Sequence, residues 1–204
     1  MVKLSGMLSQ FDPVHVLVIG DFLLDTYTTG KIKRMSPEAP VPILHVEKEE
    51  NRPGGAGNVV LNLVSLGAQV TAIGRIGYDF AGKWLYDFLE EEGVNVQALL
   101  SQKGYKTPVK NRLIADSQQI LRLDHEEATS LLQNLEKELI QQLPTLLETI
   151  QIVAISDYGK GFLSSALLKA VIQLAKKSSI PVIVDPKGED FSKYNGATVL
   201  KPNL

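Results

Sequence analysis

The sequence predicts an α/β fold: a parallel-type sheet flanked by helices, with a small β-lid attached. Three observations point there. Short apolar runs such as Val16-Leu17-Val18-Ile19 end abruptly in glycine or aspartate, as strands buried on both faces do. Between these runs lie stretches with apolar residues at i, i+3 and i+4, the spacing of amphipathic helices. The two patterns alternate to the C-terminus, which favours parallel strands joined by helical crossovers.

Taken in order, residues 14–20 read as the first buried strand. Asp21 and Asp25 follow its carboxyl end, where open α/β sheets bind ligands; Asp21 is also a residue type common in turns. Residues 26–50 are short-range and β-prone, and Pro37, Pro40 and Pro42 place them at an edge or in a loop rather than in a central strand. This segment is expected to leave the main domain as a flap and return at Pro53-Gly54-Gly55-Ala56-Gly57-Asn58. A helix then follows. Asn58, Asn62 and Ser65 share one face of it, and Val59, Val60, Leu63, Val64 and Leu66 form the apolar surface.

Residues 69–77 form a strand closing on glycines, with Asp79 next. Ala81, Trp84, Leu85, Phe88 and Leu89 then predict a helix stopped at Gly93. Residues 107–124 are again β-prone and are expected to pair with the flap. Leu131, Leu135, Leu139 and Leu143 predict that residues 128–150 are helical, with Pro144 kinking or ending the first helix. Residues 152–156 form a strand followed by Asp157, Gly159 and Gly161. Ser164 is placed to cap a helix reaching Lys177. Strands at 181–184 and 198–200 complete the pattern, the first ending in Asp185-Pro186-Lys187.

Bulk properties exclude several classes. The 204 residues are 44% hydrophobic and 22% charged with a net charge of −2, a globular composition with no basic footprint for nucleic acid. There is no cysteine, so disulfides, thiolate metal sites and cysteine nucleophiles are excluded, in keeping with a cytoplasmic protein. His15, His45 and His125 are scattered, which argues against a histidine metal site. No stretch approaches the roughly 20 apolar residues of a membrane span, and residues 1–13 lack a signal-type apolar core.

The chemistry concentrates at strand ends. Asp21 with Asp25, Asp79, Asp157 and Asp185 each follow an apolar run. With the Gly54–Gly55 turn and Asn58 they are expected to surround one cleft. Carboxylates accept from hydroxyls, and an asparagine amide both donates and accepts. The backbone N–H groups of a helix's first turn can add to them. Such a set suits a polyhydroxylated ligand without specifying a reaction.

These residues carry a resemblance. From about Val14 onward the chain resembles the ribokinase (PfkB) family of carbohydrate kinases, through Gly20-Asp21 with Asp25, Gly54-Gly55 with Asn58, Gly74 to Asp79, and Asp185-Pro186-Lys187. Within that family it is most similar to the D-glycero-β-D-manno-heptose 7-phosphate kinases of lipopolysaccharide precursor synthesis. The marks are Arg34 to Pro42, Arg52 to Ala56, Gln118 to Asp124, Ser156 to Gly161, and Asp185 to Gly188. The resemblance implies that residues 26–50 and 107–124 form a lid over the sugar, and that Asp21, Asp25, Gly54, Gly55 and Asn58 bind its hydroxyls. Arg122 and Lys160, then Arg112 and Lys187, are the candidates for its phosphate. Asp185, Lys187 and Asn203 are implied on the nucleotide side. ATP and Mg2+ are the implied cofactors, and a homodimer through the lid the implied assembly.

The resemblance also implies features that this sequence does not contain. The Asn-x-x-Glu motif is met only at its Asn203, and the glycine-rich segment bearing the catalytic aspartate is absent. No Gly-x-x-x-x-Gly-Lys-Ser/Thr loop substitutes for it. The expectation is an N-terminal portion of a kinase domain, inactive alone, whose base lies beyond Leu204 and whose last strand has an exposed side. The alternatives are a non-catalytic sugar-phosphate-binding module, or a kinase of another substrate such as fructose 1-phosphate or a nucleoside.

Overall fold

The computed structural model describes residues 12–202. Asn203 and most of the N-terminal stretch considered above lie outside the described residues. Two sheets organise the molecule. The first contains β1 (His15–Gly20), β4 (Gln69–Gly77), β5 (Asn95–Gln102), β8 (Ile152–Ser156), β9 (Val182–Asp185) and β10 (Val199–Leu200), in the order β10-β9-β8-β1-β4-β5. Every pairing in it is parallel.

Alternation along β1 explains why helices cover both faces. Val16 and Val18 pack with Val60 of α1 (Ala56–Ser65) and Leu85 and Leu89 of α2 (Phe80–Glu91). Leu17 and Ile19 point the other way, into a cluster with Leu139 and Leu143 of α3 (Gln133–Leu146) and Leu168 and Val171 of α4 (Ser165–Lys177). Burial of these side chains contributes about 1.5–3 kcal/mol each, and is the main term holding the layers together.

Local signals set the helix ends. Asp79 caps α2 by accepting from Gly82 N at 2.8 Å, and Ser164 caps α4 by accepting from Leu167 N at 3.0 Å. The predicted apolar stripe of α2 is buried or half-buried throughout, whereas Leu66, counted as apolar surface of the preceding helix, ends that helix 57% exposed. The α3 helix begins later than its leucine repeat predicts. Leu131 is buried, but its N–H donates to Gly161 O at 3.2 Å in an extended segment before the helix. Pro144 sits in the last turn of α3 without ending it. Edge strand β5 was not anticipated as a separate strand; β10 pairs on its other edge with β9 alone among the described residues, with Val199 and Leu200 exposed.

The second sheet has the order β3-β2-β6-β7, built from β2 (Phe22–Met35), β3 (Pro42–Gly55), β6 (Val109–Ala115) and β7 (Gln118–His125). β2 and β3 form an antiparallel hairpin, β6 runs parallel to β2, and β7 returns antiparallel to β6. Its two faces differ in chemistry, as the register dictates. One presents Leu24, Thr26, Asn111, Leu113, Leu121 and Leu123. The other presents Asp25, Tyr27, Arg52, Lys110, Arg112 and Arg122.

Candidate substrate site

β4 and β5 lie to one side of β1, and β8, β9 and β10 to the other. The strand order therefore reverses between β1 and β8, and the carboxyl ends of those two strands form the crevice where such sheets bind ligands. Asp21 stands in that crevice, 3% exposed. Its Oδ2 accepts from Tyr158 N at 2.9 Å and Lys160 N at 3.1 Å, both from the loop after β8. Its Oδ1 is buried and has no partner. Burial raises the pKa of Asp21; the backbone N–H groups of Lys160, Tyr158 and Phe162 oppose the rise and nearby Asp157 adds to it. Ser156 Oγ, beside Gly20 in the register, is likewise buried and unpartnered. Leaving such atoms unmade costs about 1–3 kcal/mol each, which a hydroxyl-rich ligand would recover.

Gly54 and Gly55 come to this point as the last residues of β3 rather than as a separate turn. Gly55 has φ +58 and ends the strand by entering α1 directly, with Ala56 N donating to Asp21 O at 2.9 Å. A Cβ on Gly55 would collide with the Asp21 carbonyl, and one on Gly54 with the Asp25 carboxylate and Leu23. The glycines thus bring Asp21 and Asp25 against the start of α1, which carries no side-chain cap. Asn58 is exposed in the first turn, on the face it shares with Asn62 and Ser65.

The charged face of the second sheet turns toward the same crevice. Arg112 is ion-paired with Asp25, and its guanidinium lies 5.2 Å from the Tyr27 ring centroid. Arg122 forks onto Asp124 at 2.8 and 2.9 Å on exposed β7. Lys160 Nζ meets Glu126 Oε1 at 2.7 Å, and Lys110 Nζ meets Glu126 Oε2 at 3.7 Å. Arg112, Arg122 and Lys160 therefore each have an acidic neighbour that an incoming phosphate would have to outcompete. Tyr158 is held un-ionised to high pH first by burial, then by the fields of Asp185 and Asp25. Asp185 ends β9 opposite Ser156 in the register.

Other sequence candidates are engaged elsewhere. Besides capping α2, Asp79 accepts from Thr107 N at 2.8 Å and Thr107 Oγ1 at 2.7 Å, tying down the approach to β6. Asp157 accepts from Lys193 Nζ and Tyr194 Oη, both at 2.7 Å, and from Gly159 N at the same distance. Both are structural carboxylates rather than rim acceptors. Asp185 lies 3.6 Å from Lys201 Nζ, and Lys187 is exposed with its backbone N–H on Tyr194 Oη. Among the described residues no group of three or more histidines or acids gathers to hold a metal. The residues missed by sequence reasoning are Arg75, Glu126, Tyr158 and Ser156. Arg75 had a signal, as a lone charge inside an apolar strand.

Residues 15–204 match the model of the pfkB family carbohydrate kinases. The chain belongs to that family. It is 50% identical over 196 residues to bifunctional protein HldE of Campylobacter jejuni, covering 96% of this chain and 41% of that protein. To HldE of Helicobacter hepaticus it is 46% identical over 188 residues, covering 92% and 39%. This family member thus spans about two-fifths of the length of these curated relatives. The fold is shared with phosphofructokinase-2 of Escherichia coli in its tetrameric inhibited form, at TM-score 0.68 and 21% identity, covering 94% of this chain and 61% of that one. It is shared too with Arabidopsis thaliana ribokinase complexed with ribose and ATP, at TM-score 0.63 and 17% identity, covering 94% and 60%. No helix among the described residues is long and apolar enough to cross a membrane.

Proposed function

We propose that this chain provides the sugar-binding part of a kinase that transfers phosphate from ATP to the anomeric hydroxyl of D-glycero-β-D-manno-heptose 7-phosphate. One observation carries the reading: Asp21, at the point where strand order reverses, is fixed through Oδ2 while its buried Oδ1 lacks a partner. A sugar hydroxyl is the donor that completes it. Asp25 and the Gly54–Gly55 end of β3 form the adjoining wall, with Asn58 at its edge. Arg112, Arg122 and Lys160 supply charge for the 7-phosphate, the arginines through their planar forks. The HldE relatives support heptose over other sugars.

ATP would lie on the β9 side, near Asp185, Lys187 and Asn203. The described residues present no magnesium cage, so Mg2+ fits only as a companion of nucleotide phosphates, the way this ion is commonly held. No catalytic base is assigned among them. Residues 26–50 and 107–124 act as the lid in this reading. Its apolar face, with Leu121 and Leu123 52% and 39% exposed, is the surface we assign to a homodimer. A groove of about 600 Å3 on that side runs between Thr26, Asn51, Asn111 and Phe80. A cytoplasmic location accords with the use of ATP.

Isothermal calorimetry with heptose 7-phosphate tests the reading. Binding that Asp21→Asn abolishes supports it, and equal binding by that variant sinks it. Repeating the titration with a non-hydrolysable ATP analogue separates the kinase from a non-catalytic sugar-phosphate module.

A further inference from the structure

Arg75 is 1% exposed and forms no ion pair with a carboxylate among the described residues. Burying a guanidinium without a counter-charge is expensive unless its donors are met. Here carbonyl oxygens meet them. Nη1 donates to Ser130 O at 3.0 Å and Gln102 Oε1 at 3.3 Å; Nη2 donates to Thr129 O at 2.6 Å and Lys160 O at 3.0 Å. The guanidinium also lies 3.8 Å from the Tyr105 ring centroid. Nε remains buried and unpartnered.

The acceptors come from three places: the end of β5, the return from β7 to α3, and the loop after β8. The third is decisive. Lys160 offers its carbonyl to Arg75, its N–H to Asp21 Oδ2, and its ammonium to Glu126. A single residue thus separates the buried cation from the carboxylate assigned to the sugar. The register agrees: Ile19 and Ile73 are the last pair of the β1–β4 ladder, and Asp21 and Arg75 each lie two residues beyond it. The three unpartnered buried side-chain atoms found among the described residues, Asp21 Oδ1, Arg75 Nε and Ser156 Oγ, all belong to the carboxyl ends of the adjacent strands β1, β4 and β8.

We propose that Arg75 is a positioning residue for the sugar site: it fixes the Lys160 peptide that orients Asp21, and it ties the return from the second sheet to the same loop. The proposal rests on the assignment of Asp21 to a sugar hydroxyl. Arginine is required rather than lysine, because a planar fork reaches carbonyls on separate segments at once and an ammonium does not. The groups acting on Asp21 are the Lys160, Tyr158 and Phe162 N–H donors, the Asp157 carboxylate, Arg75 and the Tyr105 phenol. Of these, the three backbone donors and Arg75 favour the ionised carboxylate, and Arg75 alone also places one of those donors, at Lys160.

The test uses the whole chain, with Arg75→Lys, Arg75→Met and Leu143→Ala, a core variant remote from the crevice. Carbon NMR follows the titration of the Asp21 carboxyl without ligand, and calorimetry follows heptose 7-phosphate binding. Arg75→Lys is expected to move the Asp21 midpoint to higher pH and to weaken binding roughly tenfold, the effect of losing one hydrogen bond to a charged group. Leu143→Ala is expected to lower the unfolding temperature and leave both readouts alone. An unmoved Asp21 midpoint in Arg75→Lys overturns the proposal, even if Arg75→Met fails to fold. A moved midpoint in a chain whose wild type does not bind the sugar phosphate instead removes the sugar assignment and leaves the Arg75–Asp21 coupling standing.

Discussion

The two sheets are built by opposite rules. In the six-stranded sheet, β1 is buried on both faces and side chains of four helices interdigitate with it. In the four-stranded sheet, all of β7 is exposed, and one face is charged while the other mixes leucines with hydrogen-bonded Thr26, Thr28 and Asn111. Burial is thus concentrated in the first sheet, and under the proposed function recognition falls to the second. Asp21, Gly54 and Gly55 lie at the seam, where β1 gives way to β2 and β3 runs into α1. Substitutions should sort by sheet: stability losses in one, binding losses in the other, and both only at the seam.

The largest effect is expected deep in the helical layer. Leu143→Ala should cost about 2–5 kcal/mol in denaturant unfolding, as large-to-small changes at fully buried sites do. Leu121→Ala on β7 should stay within about 0.5 kcal/mol. Equal losses would erase the contrast between the sheets. Next comes the seam. Gly55→Ala should destabilise by about 1–3 kcal/mol, since its positive φ strains a side chain and its Cβ meets the Asp21 carbonyl. The same variant should lose heptose 7-phosphate binding in calorimetry.

Asp21→Asn sharpens the comparison through pH. Burial raises the Asp21 pKa, so the folded chain holds that proton more tightly than the unfolded chain. Its contribution favours folding below the unfolded carboxylate's pKa and fades as pH climbs through the higher folded value. Thermal melts of Asp21→Asn across that range should lack this downward slope. Smallest in stability is Arg122→Ala. Its partner Asp124 sits on the same exposed strand, so melting should not change, while sugar-phosphate affinity should fall several-fold and become less salt-sensitive.

Much of the architecture was readable because it is written in local patterns. Val16 to Ile19, the Trp84 stripe and the Ser164 cap need only neighbours within a few residues to declare themselves. The start of α3 was misread because Leu131 keeps the leucine spacing while its N–H is drawn away to Gly161, thirty residues on. The positions of Asp21 and Asp25 beside the crevice were legible because they follow from a strand end. Asp79 and Asp157 have the same local appearance, yet Thr107 in one case and Lys193 and Tyr194 in the other claim their oxygens. Arg75 showed only an odd charge within β4; its acceptors lie 27 to 85 residues away. Long-range hydrogen-bond partners leave no trace in periodicity.

The parallel pairing of β2 with β6 has a temporal consequence. The hairpin of β2 and β3 emerges early in synthesis, but its inner neighbour is encoded only after β4, α2 and β5. Contacts closing so long a loop form late. During translation the hairpin therefore waits, half-solvated, with β2's second edge open. A nascent chain stalled before Val109 would hold its first core layers while displaying a sticky border, a state that ribosome-associated chaperones would meet.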